Sequence, residues 1–149
     1  MKTNVKSYGL RTDKSMKTWI QLSRAFYKIS TKELAYFKSH NLTLNQFKVL
    51  EVLYHRGDLN VSSITKLTMS TPGNITVVVK NLKRDGWIET VVDENDKRST
   101  KLSITKKGID IIENIFPQHA QNLHDNLSVL DDDELDTLFT LLRKLGKAQ

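Results

Sequence analysis

Apolar residues recur with a helical period along most of this chain and switch to alternation once, past the middle. Residues 13–40 predict a long helix: Met16, Trp19, Ile20, Phe26 and Ile29 recur near helical spacing, and Leu34 and Phe37 extend the stripe. Thr43 opens a second helix, with Gln46 three residues on as its capping-box partner. Phe47, Leu50, Leu53 and Tyr54 share its apolar face, and Gly57-Asp58 stops it. Val61, Ile64 and Leu67 predict a short third helix, with Ser62 near its start. Thr71 suits an N-cap and Pro72 the first helical position, so a fourth helix is expected over 72–85, with Gly86 taking the positive φ beyond its end.

After Gly86 the period changes. Residues 87–92 are β-branched and aromatic, 100–104 alternate strictly, and the segment between them is polar, which predicts a β-hairpin with a charged tip. Thr105 then caps a long helix carrying Ile109, Ile112, Ile115, Phe116, Leu123 and Leu127, with Pro117 inside it and expected to kink it. Asp131 and Glu134 form a D-x-x-E signal for a last helix, lined by Leu135, Leu138, Leu141, Leu142 and Leu145 and ended by Gly146. The fold class is therefore mainly α with a small β-hairpin, and the 149 residues amount to one domain.

Composition narrows the function. With no cysteine, the chain has no disulfide framework, thiolate zinc site or cysteine nucleophile. No apolar run reaches the ~18–20 residues that span a bilayer, and the first ten residues lack a signal segment, so a cytoplasmic protein is expected. The net charge of +6 is unevenly placed: residues 1–40 carry nine Lys/Arg against two Asp/Glu, residues 41–108 eleven against seven, and residues 109–149 three against eight. A basic front half points to a polyanionic partner.

The order helix, short helix, turn, helix, hairpin is that of a winged helix-turn-helix, whose second helix enters the major groove. At ~100° per residue, Ile75, Val78, Val79 and Leu82 form the inner face of helix 72–85. Gly73, Thr76, Val77, Lys80 and Arg84 form the outer face, with Asn74 and Asn81 on the flank and Ser70 and Thr71 at the entry. Hydroxyl, amide, methyl and cation together suit base reading and phosphate contact. Val77 fits either a thymine-methyl contact or an ordinary exposed valine. At the hairpin tip Arg98, with Lys97 beside it, is placed to enter a narrow minor groove. Asp93 and Asp96 are assigned to fixing the turn and aiming Arg98 by pairing with it; an ordinary solvated turn is the alternative.

Several stretches resemble the multiple-antibiotic-resistance regulator (MarR) family: 42–47, 70–76, 82–88, the wing pattern Asp93-x-x-Asp96-x-Arg98, and Leu102-x-Ile104-Thr105-x-x-Gly108. The flanking helices fit in order and length. The resemblance implies a winged lobe over 43–108 and dimerisation helices over 13–40 and 106–147. It also implies an obligate homodimer on a palindromic double-stranded DNA operator and repression released by a small-molecule effector. Many members carry a basic residue where this chain has Val77, so that base contact does not carry over. Independently, the first and last helices hold more large apolar residues than one small lobe covers, as a dimer interface requires. An effector cleft is expected between the dimer helices and the DNA lobe, with Trp19, Phe26 and Tyr27 as candidate lining.

Four histidines, His40, His55, His119 and His124, invite a metal reading, but none is placed in an H-x₃-H pair, and no metal or other cofactor is assigned. The run 131–134 is acidic at a helix N-terminus, which is favourable by itself. No phosphate-binding glycine loop or nucleophile triad is present, so an enzyme is not expected. The alternatives to an effector-released regulator are a protein-binding or architectural winged-helix module and a metal-responsive regulator. Salt-dependent DNA binding and chelator sensitivity separate them.

Overall fold

The computed structural model describes residues 6–93 and 98–147. Its elements run α1 (Leu10–Ser39), α2 (Leu44–Arg56), α3 (Val61–Leu67), α4 (Pro72–Arg84), β1 (Ile88–Val92), β2 (Thr100–Ile104), α5 (Lys106–Leu127) and α6 (Asp132–Lys147). This is the expected order: helices around a two-stranded antiparallel hairpin, with Ile88 opposite Ile104 and Val92 opposite Thr100.

Local chemistry sets most boundaries. Thr43 and Gln46 close a reciprocal capping box: Gln46 N–H donates to Thr43 Oγ1 at 3.2 Å, and Thr43 N–H to Gln46 Oε1 at 2.9 Å. Gly57 ends α2 at φ 76°. Asp131 and Glu134 repeat the box at α6, at 2.9 and 3.0 Å. The cap of α3 is Asn60, whose Oδ1 accepts from Ser63 N–H at 2.8 Å, and Ser62 falls at the second helical position, near the start as expected. Of that helix's apolar stripe only Ile64 is buried, because two turns present a single position inward.

Two ends differ from expectation. Helix α1 begins at Leu10, ahead of Asp13. The Asp13 carboxylate accepts from Ser7 Oγ at 2.6 Å and Tyr8 N–H at 3.0 Å, folding the preceding residues over the first turn. These bonds, that from Ser7 foremost, hold its carboxyl below the usual range. At the other end α6 runs through Gly146 to Lys147, since a glycine in a last turn costs only about 1 kcal/mol. Helix α5 also continues through Pro117 as one element. The carbonyl four residues back, on exposed Glu113, loses its intrahelical donor but can face water.

The core lies where α1, α2, α4 and α5 meet the hairpin. Phe37, Val49, Leu50, Leu53, Ile64, Ile75, Leu82 and Ile112 are all but sealed from solvent. Phe37 of α1 stacks on Phe47 of α2 with ring centroids 4.2 Å apart. Tyr36 reaches over to α5 and donates to the Ile115 carbonyl at 3.0 Å. Leu59, between α2 and α3, exchanges two backbone hydrogen bonds with Leu102 of β2 (2.8 and 3.2 Å), adding a one-residue bridge to the hairpin. A single pairing residue carries no alternation, so the sequence pattern did not show it.

Candidate nucleic-acid interface

Helix α4 is built to present one face. Thr71 Oγ1 accepts from Asn74 N–H at 3.3 Å, and Pro72 occupies the first position. Ile75, Val78, Val79 and Leu82 are buried, as the helical rotation requires. On the opposite side Gly73, Asn74, Thr76, Val77, Lys80 and Arg84 are exposed, and Asn81 is half-buried on the flank. Val77 is 57% exposed, so its methyl groups are free to meet a partner. Thr76 donates its hydroxyl proton to the Pro72 carbonyl at 2.9 Å, which leaves its acceptor lone pairs and methyl for outside contact.

Two candidates sit differently from the rest. Ser70 is half-buried in the α3–α4 turn: its N–H donates to the Thr65 carbonyl at 3.0 Å and its Oγ accepts from Thr68 Oγ1 at 2.9 Å. Met69 beside it takes the left-handed conformation at φ 53°, which turns the chain into α4. Arg84 clasps its neighbour Asp85, Nε to Oδ1 at 2.9 Å and Nη2 to Oδ2 at 3.2 Å. The clasp lowers the Asp85 carboxyl and raises the guanidinium, in both through this hydrogen bonding first. Arg84, at the helix end, is thus engaged by its neighbour, while Lys80 stands exposed in mid-face.

At the wing, Asp93 N–H donates to the Ser99 carbonyl at 3.1 Å, and its carboxylate meets Lys101 Nζ at 3.0 Å and Ser99 Oγ at 3.4 Å. Asp93 therefore ties the two strand ends together at the root of the wing. Arg98 is exposed, while Asp96 and Lys97 lie outside the described residues.

The hairpin and α4 are locked to α5 at one junction. Thr105 Oγ1 accepts from Gly108 N–H at 3.2 Å and donates to the Gly86 carbonyl at 2.8 Å. Thr105 N–H reaches the Trp87 carbonyl at 3.0 Å, and Lys107 Nζ the Asp85 carbonyl at 2.8 Å. Gly86 stands at φ 73°, as the end of α4 demands.

A cavity of about 260 Å³ between α1, α2 and α5 is lined by Phe26, Ile29, Ser30, Glu33, Phe37, Leu44, Lys48 and His119. Of the three residues expected to line a cleft, Phe26 does so; Trp19 and Tyr27 are exposed elsewhere on α1. Glu33 is 5% exposed, and its Oε2 faces His119 Nδ1 at 2.5 Å. The other histidines lie apart from one another: His40 Nδ1 meets the Tyr36 carbonyl at 3.0 Å, His55 packs edge-on to Tyr54 and Phe116, and His124 meets Asp125. Among the described residues no group of three or more His, Asp or Glu side chains is arranged to hold a metal ion, and no helix is long and apolar enough to cross a membrane.

A polar, cationic helix face raised beside a hairpin, on a helix-turn-helix core, defines a winged helix-turn-helix protein of the class that reads DNA. The profile of the MarR family matches residues 42–100. The transcriptional regulator MhqR of Bacillus subtilis is 35% identical over 135 residues, 91% of this chain and 93% of its own. Among solved structures, BpsR of Bordetella bronchiseptica, whose DNA binding is regulated by 6-hydroxynicotinic acid, superposes with a TM-score of 0.78 at 24% identity, covering 87% of this chain and 92% of its own. A MarR variant from E. coli complexed with operator DNA gives 0.72 at 26% identity, covering 86% and 95%. The chain belongs to the MarR family of helix-turn-helix transcription regulators.

Proposed function

We propose that this chain is a homodimeric repressor that grips a two-fold symmetric operator with α4 and the wing, and that a small molecule bound in the α1–α2–α5 cavity releases it. The observation that carries the reading is the sharp division of α4. Four apolar residues are buried on one side, and the other side holds Gly73, Asn74, Thr76, Val77 and Lys80 in the open. Lys80 and Arg98 would contact the sugar-phosphate framework, Asn74, Thr76 and Val77 the base edges.

Support for the dimer comes from the two terminal helices. No residue of α6 is buried, and Phe139, Leu141, Leu142 and Leu145 are exposed together with Trp19, Ile20, Phe26 and Tyr27 of α1. Apolar residues in such numbers on two helices call for a partner surface, and a second copy of the same surface is the commonest solution. The operator-bound MarR structure and the ligand-regulated BpsR support the DNA and effector parts of the reading.

The test is a titration of labelled operator over a range of salt, on DNA selected from genomic fragments. Log affinity should fall with log salt by about 0.9 per phosphate neutralised, and the half-sites should lie about one helical turn apart. A flat salt response, or a monomer binding one half-site equally well, overturns the reading.

A further inference from the structure

Met69, in the turn between α3 and α4, combines two unfavourable properties. Its backbone is left-handed at φ 53°, a conformation that glycine takes freely, that asparagine takes with local hydrogen bonding, and that costs other L-residues. Its side chain is 86% exposed, more than any other large apolar residue among the described ones. A single exposed apolar residue is ordinary, and so is a helix that ends on a left-handed residue. The two together are not, because in the free chain almost no packing is gained to offset the backbone cost.

The turn itself holds the strain. Met69 N–H donates to the Lys66 carbonyl at 3.2 Å, and Ser70 N–H to the Thr65 carbonyl at 3.0 Å. Thr68, buried, and Ser70, half-buried, anchor the chain on either side, so the residue left pointing outward is Met69. It stands two residues ahead of Thr71, the cap of α4, beside the helix end where Gly73 and Asn74 are exposed. The apolar residues read above as a dimer surface are on α1 and α6, away from this turn, which leaves DNA as the partner that meets it.

We propose that Met69 is a further DNA-contacting residue, whose thioether packs on apolar carbon at the margin of the half-site: a thymine C5-methyl or the deoxyribose carbons beside it. An unbranched side chain with three rotatable bonds and a polarizable sulfur adapts to either surface. Such a contact carries no charge, so it adds affinity without adding to the salt dependence. The inference rests on the DNA-binding reading above and adds to it a residue outside α4 and the wing.

The experiment compares native protein with Met69→Gly, Met69→Asn and Met69→Leu by fluorescence anisotropy on the selected operator, with thermal unfolding at one protein concentration alongside. Gly and Asn relieve the backbone, so Tm should stay level or rise. Operator affinity should nevertheless fall roughly fivefold or more, as for the loss of at least one buried methyl-sized group, with the salt slope unchanged. Leu, apolar and of similar volume, should keep affinity within about twofold. Asn separates side chain from backbone, since it holds the left-handed turn: a loss with Gly that Asn does not share would trace to a loosened turn and overturn the contact. Uracil put in place of each thymine in turn names the source. A methyl contact closes the gap between native and Met69→Gly at one position, and a deoxyribose contact leaves the gap at all of them. Native affinity in both Gly and Asn variants, a Tm that falls in step with affinity, or a reduced salt slope overturns the inference, while salt-dependent binding by the native protein keeps the DNA reading standing. Native protein that binds no selected fragment overturns both.

Discussion

Gly108 on α5 lies so close to the backbone of Trp87 that a Cβ built on it would stand 2.3 Å from the Trp87 carbonyl oxygen and 2.8 Å from Ile104 Cγ1. Neither neighbour can yield cheaply: the oxygen already accepts from Thr105 N–H, and Ile104 is paired across the hairpin with Ile88. Gly108→Ala is therefore expected to destabilise the fold by roughly 3 kcal/mol, the upper range for overpacking. Urea denaturation at one fixed protein concentration measures it. A loss under about 0.5 kcal/mol, the size of an ordinary surface change, would show that α5 can shift freely against the hairpin.

The Glu33–His119 contact makes an opposite prediction for single and paired substitutions. His119→Leu strands a buried carboxylate and should cost about 3–5 kcal/mol. Replacing both residues by leucine removes charge and partner together and should return most of that loss, because an apolar pair of similar volume is often as stable. A double-variant cycle in the same urea assay decides, and simple addition of the two single penalties would rule out coupling.

Val77 and Lys80 separate base reading from charge. Replacing a contacted thymine by uracil removes one methyl and should cost native protein on the order of 1 kcal/mol, but Val77→Ala much less. Lys80→Ala should weaken all sequences about equally and lower the salt slope by roughly one. Fluorescence anisotropy on the paired operators reads both. Equal uracil sensitivity of native and Val77→Ala protein at every thymine would show that Val77 does not read sequence.

The Arg84–Asp85 clasp restrains a cation at the end of α4. Asp85→Ala frees it. Operator affinity at low salt should rise, and the salt slope should steepen by up to about one. The pH dependence has a defined sign: the carboxyl is held below its ordinary value, so the native clasp persists above that range and is lost as pH falls through the lowered value. The native protein should therefore approach the affinity of Asp85→Ala only at strongly acid pH. An unchanged slope would mean that Arg84 does not approach phosphate.

The elements were legible where one residue type dictates one local geometry. Thr43 with Gln46, Asp131 with Glu134, Pro72, and Gly57 and Gly86 at positive φ each mark an end that the structure places there. The buried side of α4 followed from rotation alone. What escaped notice depends on partners far apart in the chain. Glu33 reads as a polar position between Ile29 and Leu34, and His119 as one more histidine on a helix; 86 residues separate them, and only packing of α1 on α5 joins them. The start of α1 was misplaced because Asp13 acts backwards, gathering Ser7 and Tyr8. Lys101, which its strand brings within 3.0 Å of the Asp93 carboxylate, is a partner that the alternating pattern of the strand did not single out.

The Lys106–Leu127 helix is fastened at two distant points, and this gives it the geometry of a tiller. Its first turn is pinned to the exit of α4 by Thr105, Lys107 and Gly108, and its middle is pinned to α1 by His119 and the Ile115 carbonyl. Fourteen residues separate Thr105 from His119, or about 21 Å of helix at 1.5 Å each. A pivot of only about 5° around the His119 end would swing the forward end by roughly 2 Å over that length. That displacement is a sizeable part of the ~3.4 Å rise between stacked base pairs, so on the proposed reading a small adjustment around Glu33 would be enough to carry α4 out of step with a DNA groove.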